Sequence, residues 1–260
     1  MPAPPPVVDC VSFFRSASNR SESELEVRLG HWDAQLGRFT PGIPKASFVH
    51  LERELCSTAD LEADKEWEEV VDYYYTSKDK SVVRTRVECD TTTMSMSNSH
   101  IVKRGTFSSV LLVDEETGDA CKACWCMEVP VHDPPGVCIP SHVRIKQRKS
   151  FRDARGGGVV WKYELSKTWS ASSRSAVEHM QHVQEPVYEV ECELVDEGGE
   201  YLREREDSYV AHSLLAKTLL LLGEEPTRCD EMKVVQLSDR RWELEGKATA
   251  TGKRNRSASK

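Results

Sequence analysis

Long stretches of the chain alternate apolar and polar side chains one for one, the signature of strands with one buried face. The pattern begins at residues 24–30, where Leu25, Val27 and Leu29 share a side. It returns in three pairs of runs: 71–77 with 81–89, 106–113 with 120–131, and 143–151 with 159–169. The connections, 78–80, 114–119 and 155–158, are charged or glycine-bearing, so each pair reads as a hairpin. A last run covers 187–195. These are at least eight short strands, and they predict a mainly β fold with peripheral helices (α+β), an antiparallel sheet or barrel. The clearest helix spans 204–222, with Ala211, Leu214, Leu215, Thr218, Leu219 and Leu222 on one stripe and Gly223 as its stop. Leu61, Trp67 and Val70/Val71 fit a second, amphipathic helix through the acidic segment 52–69.

Composition narrows the class. A chain of 260 residues is long enough for one large domain or two small ones. No apolar run reaches the 18 residues a membrane-spanning helix needs, and the mean hydropathy is -0.54, so no membrane role is expected. The opening MPAPPPVVDC has neither a basic nor an apolar signal region, so no secretory leader is expected. The nine cysteines are odd in number and lack framework spacing, which fits free thiols in a reducing compartment. Residues 1–19 read as a flexible N-terminal segment, 20–245 as the folded domain, and 246–260 as a basic disordered tail. With 43 acids against 35 bases the net charge is -8, which argues against a surface that coats nucleic acid.

The polar faces change that picture. Glu24, Glu26 and Arg28 share a face, as do Glu189, Glu191 and Glu193. So do Arg144, Lys146 and Arg148; Arg84, Arg86 and Glu88; Lys162, Glu164 and Ser166; and Cys124, Cys126 and Glu128. One such face is the ordinary wet side of a sheet. Runs of one sign are different, because like charges on one face repel. Carboxylates at every second residue make a hard oxygen cluster suited to Mg²⁺ or Mn²⁺, and cations at the same spacing match a run of phosphates. If the sheet closes with these faces inward, acid and base rows meet across a lumen.

The motifs ELEVRLG (24–30), RIKQRKS (144–150), WKYELSK (161–167) and YEVECEL (188–194), with CMEVPV (126–131), resemble a known family. It is the metal-dependent RNA 5′-triphosphatases of fungi, protozoa and DNA viruses, the triphosphatase component of mRNA capping and members of the triphosphate tunnel metalloenzymes. The resemblance covers roughly residues 20–225. It implies a closed eight-stranded antiparallel barrel whose interior removes the γ-phosphate from 5′-triphosphate RNA, and which also accepts nucleoside triphosphates with Mn²⁺. By position it implies Glu24, Glu26 and Glu193 as metal ligands, supported by Glu191 and Glu189. It implies Arg86, Lys146 and Arg148 on the γ-phosphate, with Arg84 as the alternative arginine on that strand. Arg144, Lys162 and Lys167 would line the rest of the triphosphate path, with Lys103 and Arg104 as further contacts. Glu128 would orient and deprotonate the water, and Glu164 and Ser166 would hold the cations and metal waters. The implied partners are the 5′-triphosphate end of nascent RNA and an RNA guanylyltransferase, and the implied compartment is the nucleus.

Other signals are bland. Cys121-x-x-Cys124-x-Cys126 lacks a completing pair for zinc and reads as strand thiols. The glycines of 155–158 form no phosphate-loop pattern, and His179 and His182 read as surface residues of a connection. Two alternatives stay open: a tunnel enzyme hydrolysing tripolyphosphate, and a β-barrel that binds a polyanion without cleaving it. Five glutamates facing the ligand count against the second.

Overall fold

A computed structural model of the protein describes residues 3–17, 22–63, 66–76, 82–90, 95–131, 139–154, 159–197, 199–224, 229 and 232–239. The first half contains α1 (Pro5–Ser16), β1 (Ser23–Asp33), β2 (Arg38–Pro41), α2 (Lys45–Ser57), β3 (Leu61–Ala63), β4 (Glu68–Thr76) and β5 (Val82–Asp90). Then come β6 (Ser95–Leu112), β7 (Asp119–Pro130), β8 (His142–Ala154), β9 (Val159–Ala171) and α3 (Arg174–Val183). β10 (Val187–Leu194), α4 (Glu200–Arg203), α5 (Asp207–Leu222) and β11 (Lys233–Asp239) complete the described elements.

Eight strands pair antiparallel in the order β10-β9-β8-β4-β5-β6-β7-β1, and β1 pairs again with β10 to close a barrel. At that seam Glu26 stands directly across from Glu193 and Arg28 from Glu191. The expected hairpins are the pairs β4–β5, β6–β7 and β8–β9. The remaining strands attach outside the closed ring: β2 to β1, β3 to β8 and β11 to β6.

The apolar core lies outside the barrel. Leu25, Val27 and Leu29 of β1 and Val190, Cys192 and Leu194 of β10 point outward and are buried under Leu214, Leu215 and Leu219 of α5. A second cluster, Val71, Val143, Ile145, Trp169 and Val177, sits beneath α3. The strands beneath α5 and α3 thus bury their apolar sides against helices and turn their charged sides into the tunnel.

Three expectations need correction. The N-terminal segment, read as flexible because of its prolines, contains α1; Pro5 and Pro6 occupy the first helical turn, where a missing N–H costs nothing. Val7, Cys10, Val11 and Phe14 of α1 are buried in the main core, and Phe13 packs on Phe107 and Trp125 with centroids 5.3 Å apart. Arg15 ties the helix to α5 through Asp207 at 2.5 Å. The acidic helix is displaced: α2 ends at Ser57, with Phe48, Leu51 and Leu55 on its buried stripe. Leu61 belongs to β3, and Val70 and Val71 belong to β4, where β-branched and aromatic residues favour extended backbone. β6 begins eleven residues before the run at 106. A register break between Arg104 and Phe107, with Gly105 at φ 57°, interrupts its alternation. The tail at 246–260 lies outside the described residues.

The burial of α1 makes it part of the domain. Phe14→Ala should lower unfolding free energy by about 3–5 kcal/mol, as expected for a buried phenylalanine. Urea denaturation measures this; a loss below about 1 kcal/mol would mean the helix is dispensable.

Candidate active site

Strand parity decides which side chains enter the tunnel. On β1 these are Glu24, Glu26 and Arg28, and on β10 Glu189, Glu191 and Glu193. β9 contributes Lys162, Glu164, Ser166 and Thr168, paired in register with the β10 glutamates and with the cations of β8. β8 contributes Arg144, Lys146 and Arg148, β4 contributes Asp72, and β5 contributes Arg84 and Arg86. Lys103 of β6 and Glu128 of β7 stand across from one another, with Cys124 and Cys126 on the same side of β7.

Apart from Arg104 of β6, every site residue expected from the sequence is therefore on the tunnel face except Lys167. It follows Ser166 by one position and points outward, with its ammonium 4.0 Å over the Trp67 ring. Of the two tentative β6 contacts, Lys103 reaches the tunnel acids, whereas Arg104 lies across from Met127 on the other face. The thiols of the Cys-x-x-Cys-x-Cys run are split likewise: Cys121 is in the outer core, while Cys126 donates to Glu24 at 3.3 Å inside. His179 and His182 are exposed as expected, although on α3.

The acids divide by environment. Burial alone would raise the Glu24 carboxyl, but Lys103 and Arg28 outweigh it and hold its pKa down at about 2. Burial pushes Glu26 up to about 8 despite Arg28, and Glu24 and Glu191 add to the rise. Glu193 is also raised, by burial and the charges of Glu24 and Glu191 against Lys162. Glu191 falls well below the usual carboxylate range because Arg28, Lys146 and Lys103 overcome its burial.

The bases are held by acids on neighbouring strands. Arg86 forms a fork on Asp72, with bonds of 2.8 and 3.0 Å. Arg84 donates to both Glu128 oxygens at 3.3 Å, and Arg144 to Glu189 at 2.6 Å. Arg148 contacts Glu88 at 2.9 Å and Glu68 at 3.3 Å. Lys162 reaches Glu193 at 3.0 Å and Glu164 at 3.6 Å, and Ser166 donates to Glu164 at 3.1 Å. Lys146, 5% exposed, stands 3.8–4.0 Å from Glu164, Glu189 and Glu191 without a closer acid among these ion pairs.

The sequence pattern assigned no role to two residues that matter here. Arg28 bridges the seam, 2.8 Å from Glu26 and 3.2 Å from Glu191. Asp72 is 1% exposed and fixes Arg86; it reads in the sequence as one polar position in an aromatic strand. Parity signals Arg28, which shares a face with Glu24 and Glu26, whereas Asp72 joins Arg86 and Arg144 only through the pairing of β4 with β5 and β8.

Arg84 Nε is buried and, among the described residues, donates no hydrogen bond, whereas Arg28 Nε and Glu191 Oε1 lack hydrogen-bond geometry but face each other as an ion pair at 3.2 Å. Among those residues no three acid, imidazole or thiol groups are close enough to hold an ion as they stand. Glu24 is drawn to Lys103, and Glu26 to Arg28. Such a lumen can bind an elongated polyanion between cation rows and present carboxylates to one end of it.

No protein-family model and no curated protein matches the chain. Solved structures do. The S. pombe Pct1 RNA triphosphatase is 15% identical with a TM-score of 0.58, covering 83% of this chain and 90% of that one. The same enzyme in complex with the Spt5 CTD gives 15% identity and a TM-score of 0.56, covering 85% and 92%. The Mimivirus capping enzyme triphosphatase is 14% identical with a TM-score of 0.53, covering 83% and 95%. At this identity the likeness is one of architecture, and it establishes that the chain has the closed eight-stranded triphosphate tunnel fold.

Proposed function

We propose that this protein is a metal-dependent RNA 5′-triphosphatase, converting 5′-triphosphate RNA to 5′-diphosphate RNA and phosphate. The observation that carries the reading is the sorting of charge within one tunnel: glutamates at the β1–β10 seam meet cations on β8 and β9. A binder of polyanions has no use for carboxylates aimed at its ligand.

The donor set fits a hard divalent ion, Mg²⁺ or Mn²⁺. Glu26 and Glu193 are directly opposed carboxylates, Glu24 shares their face, and burial drives Glu26 to hold a proton at neutral pH. These three would hold the ion, which supplies charge neutralisation at a terminal phosphate oxygen. Arg86, Lys146 and Arg148 bind the γ-phosphate, and Lys146 has its ammonium free of tight pairing to do so. Arg84, Arg144 and Lys162 line the path of the other phosphates. Glu128 takes a proton from the attacking water as its oxygen bonds to the γ-phosphorus. The bond to the β-phosphate oxygen breaks, and the RNA leaves with a diphosphate end. Asp72, Glu164, Glu191 and Ser166 position the cations through their contacts with Arg86, Lys162 and Lys146. The diphosphate end is what a guanylyltransferase consumes, and a nuclear site of action follows from the substrate. The basic stretch 246–260 fits either nuclear import or attraction of RNA.

Phosphate release from γ-labelled triphosphate RNA tests the reading. Glu26→Gln and Glu193→Gln should each lower kcat by about 10²- to 10³-fold, on the scale of losing a charge-stabilising group. Undiminished activity in both would reject the carboxylate assignment, and release from tripolyphosphate but never from RNA would favour the other tunnel chemistry.

Without metal, Glu26 should act against stability. Its folded-state pKa of about 8 exceeds the ordinary value of 4.5, so between those limits the folded state binds the extra proton and stability falls as pH rises. Metal-free Glu26→Gln should lose that slope and melt roughly 2–4 °C higher at pH 8, the effect of about 1 kcal/mol. Added Mn²⁺ should raise the wild-type Tm and leave the variant nearly unmoved. A variant that melts lower without metal, or responds equally to Mn²⁺, would contradict the site.

A further inference from the structure

The two mouths of the tunnel differ. Where β4 begins and β5 nears its end, Glu68 and Glu88 flank Arg148, with side chains 58% and 41% exposed. Those carboxylates oppose the approach of a phosphate chain. Where β4 ends and β8 begins, the tunnel face presents an aromatic pair instead. Tyr74 lies directly across from His142 on β8, with ring centroids 5.8 Å apart, and directly across from Arg84 on β5. Arg144, two residues inward from His142 on the same face, lies near enough to the Tyr74 hydroxyl to interact with it. Both rings are half-buried. Burial and the nearby Arg144 hold the His142 imidazole below its usual pKa, so it is a neutral ring at pH 7. Neither ring joins the clusters of buried apolar residues.

We propose that Tyr74 and His142 form the stacking surface for the base of the first RNA nucleotide, at the mouth by which RNA enters. A planar π surface beside guanidinium groups is the combination that holds a nucleotide without reading its sequence: the rings take the base, and Arg144 and Arg84 take the nearest phosphates. The inference rests on the triphosphatase reading and adds its nucleoside subsite. It gives a reason for the enzyme to prefer an RNA end over bare tripolyphosphate, since only the RNA reaches the rings.

The test compares substrates with and without a base. Tyr74→Ala should raise KM for a triphosphate-ended oligonucleotide by about tenfold, the scale of one lost base stack, and leave tripolyphosphate turnover unchanged. Tyr74→Phe keeps the ring, loses the hydroxyl near Arg144, and should behave as wild type on both. Equal loss on both substrates, or loss in the Phe variant matching the Ala variant, would show that Tyr74 only positions Arg144. An unchanged KM for RNA would also overturn the stack. Binding is read separately by fluorescence anisotropy of a triphosphate oligonucleotide against one whose first nucleotide is abasic. Wild type should favour the base-bearing end about tenfold, and Tyr74→Ala should bind the two alike. That arm stands even if wild type releases no phosphate from RNA, a result that would count against the triphosphatase reading alone.

Discussion

The pairing of β1 with β10 closes the barrel and sets Glu26 against Glu193 at the same moment. Two carboxylates directly opposed on one face repel, and here they do so largely removed from water, with Glu26 only 3% exposed. The rest of the tunnel compensates that arrangement. Arg28 reaches across the seam, Lys162 approaches Glu193, and Lys103 neutralises Glu24. The outer faces of the same strands supply the stability that the inner faces lack, burying Leu25, Val27, Val190 and Leu194 beneath α5. A seam that is electrostatically unfavourable when bare is one that gains from binding a cation.

Strand parity made much of this legible before any coordinates. Every second residue of residues 144–148 and 189–193 had to share a face, and the charges had to go somewhere together. Lys167 shows the same rule applied too loosely: it came into the site from a motif, although its odd offset from Glu164 already placed it outside. Arg28 is within reach of parity beside Glu24 and Glu26, whereas Asp72, one polar position among tyrosines, gains its partners only when β4 pairs with β5 and β8. Tertiary packing explains the other differences. The prolines of residues 4–6 read as disorder, yet they begin a helix whose stability comes from its contacts with α5 and β7. Around residues 61–71 a chance helical spacing competed with β-propensity and lost to the pairing of β4 between β5 and β8. Gly105 hid half of β6 by breaking its alternation at the bulge.

Net charge illustrates how an average conceals function. A total of -8 speaks against a surface that coats nucleic acid. Inside, β8 carries a row of cations and β10 a row of carboxylates, so charges that cancel in the total are sorted in the lumen. The chain would thus engage RNA at its terminus and leave the remaining phosphates in solvent.

A crystal grown with Mn²⁺ and tripolyphosphate, with anomalous scattering used to locate the ion, tests the central claim most directly. The account predicts one manganese peak between Glu24, Glu26 and Glu193, with a terminal phosphate bridging it to Arg86, Lys146 and Arg148. Manganese held elsewhere, or a phosphate bound in the tunnel with no ion at the β1–β10 seam, would contradict it.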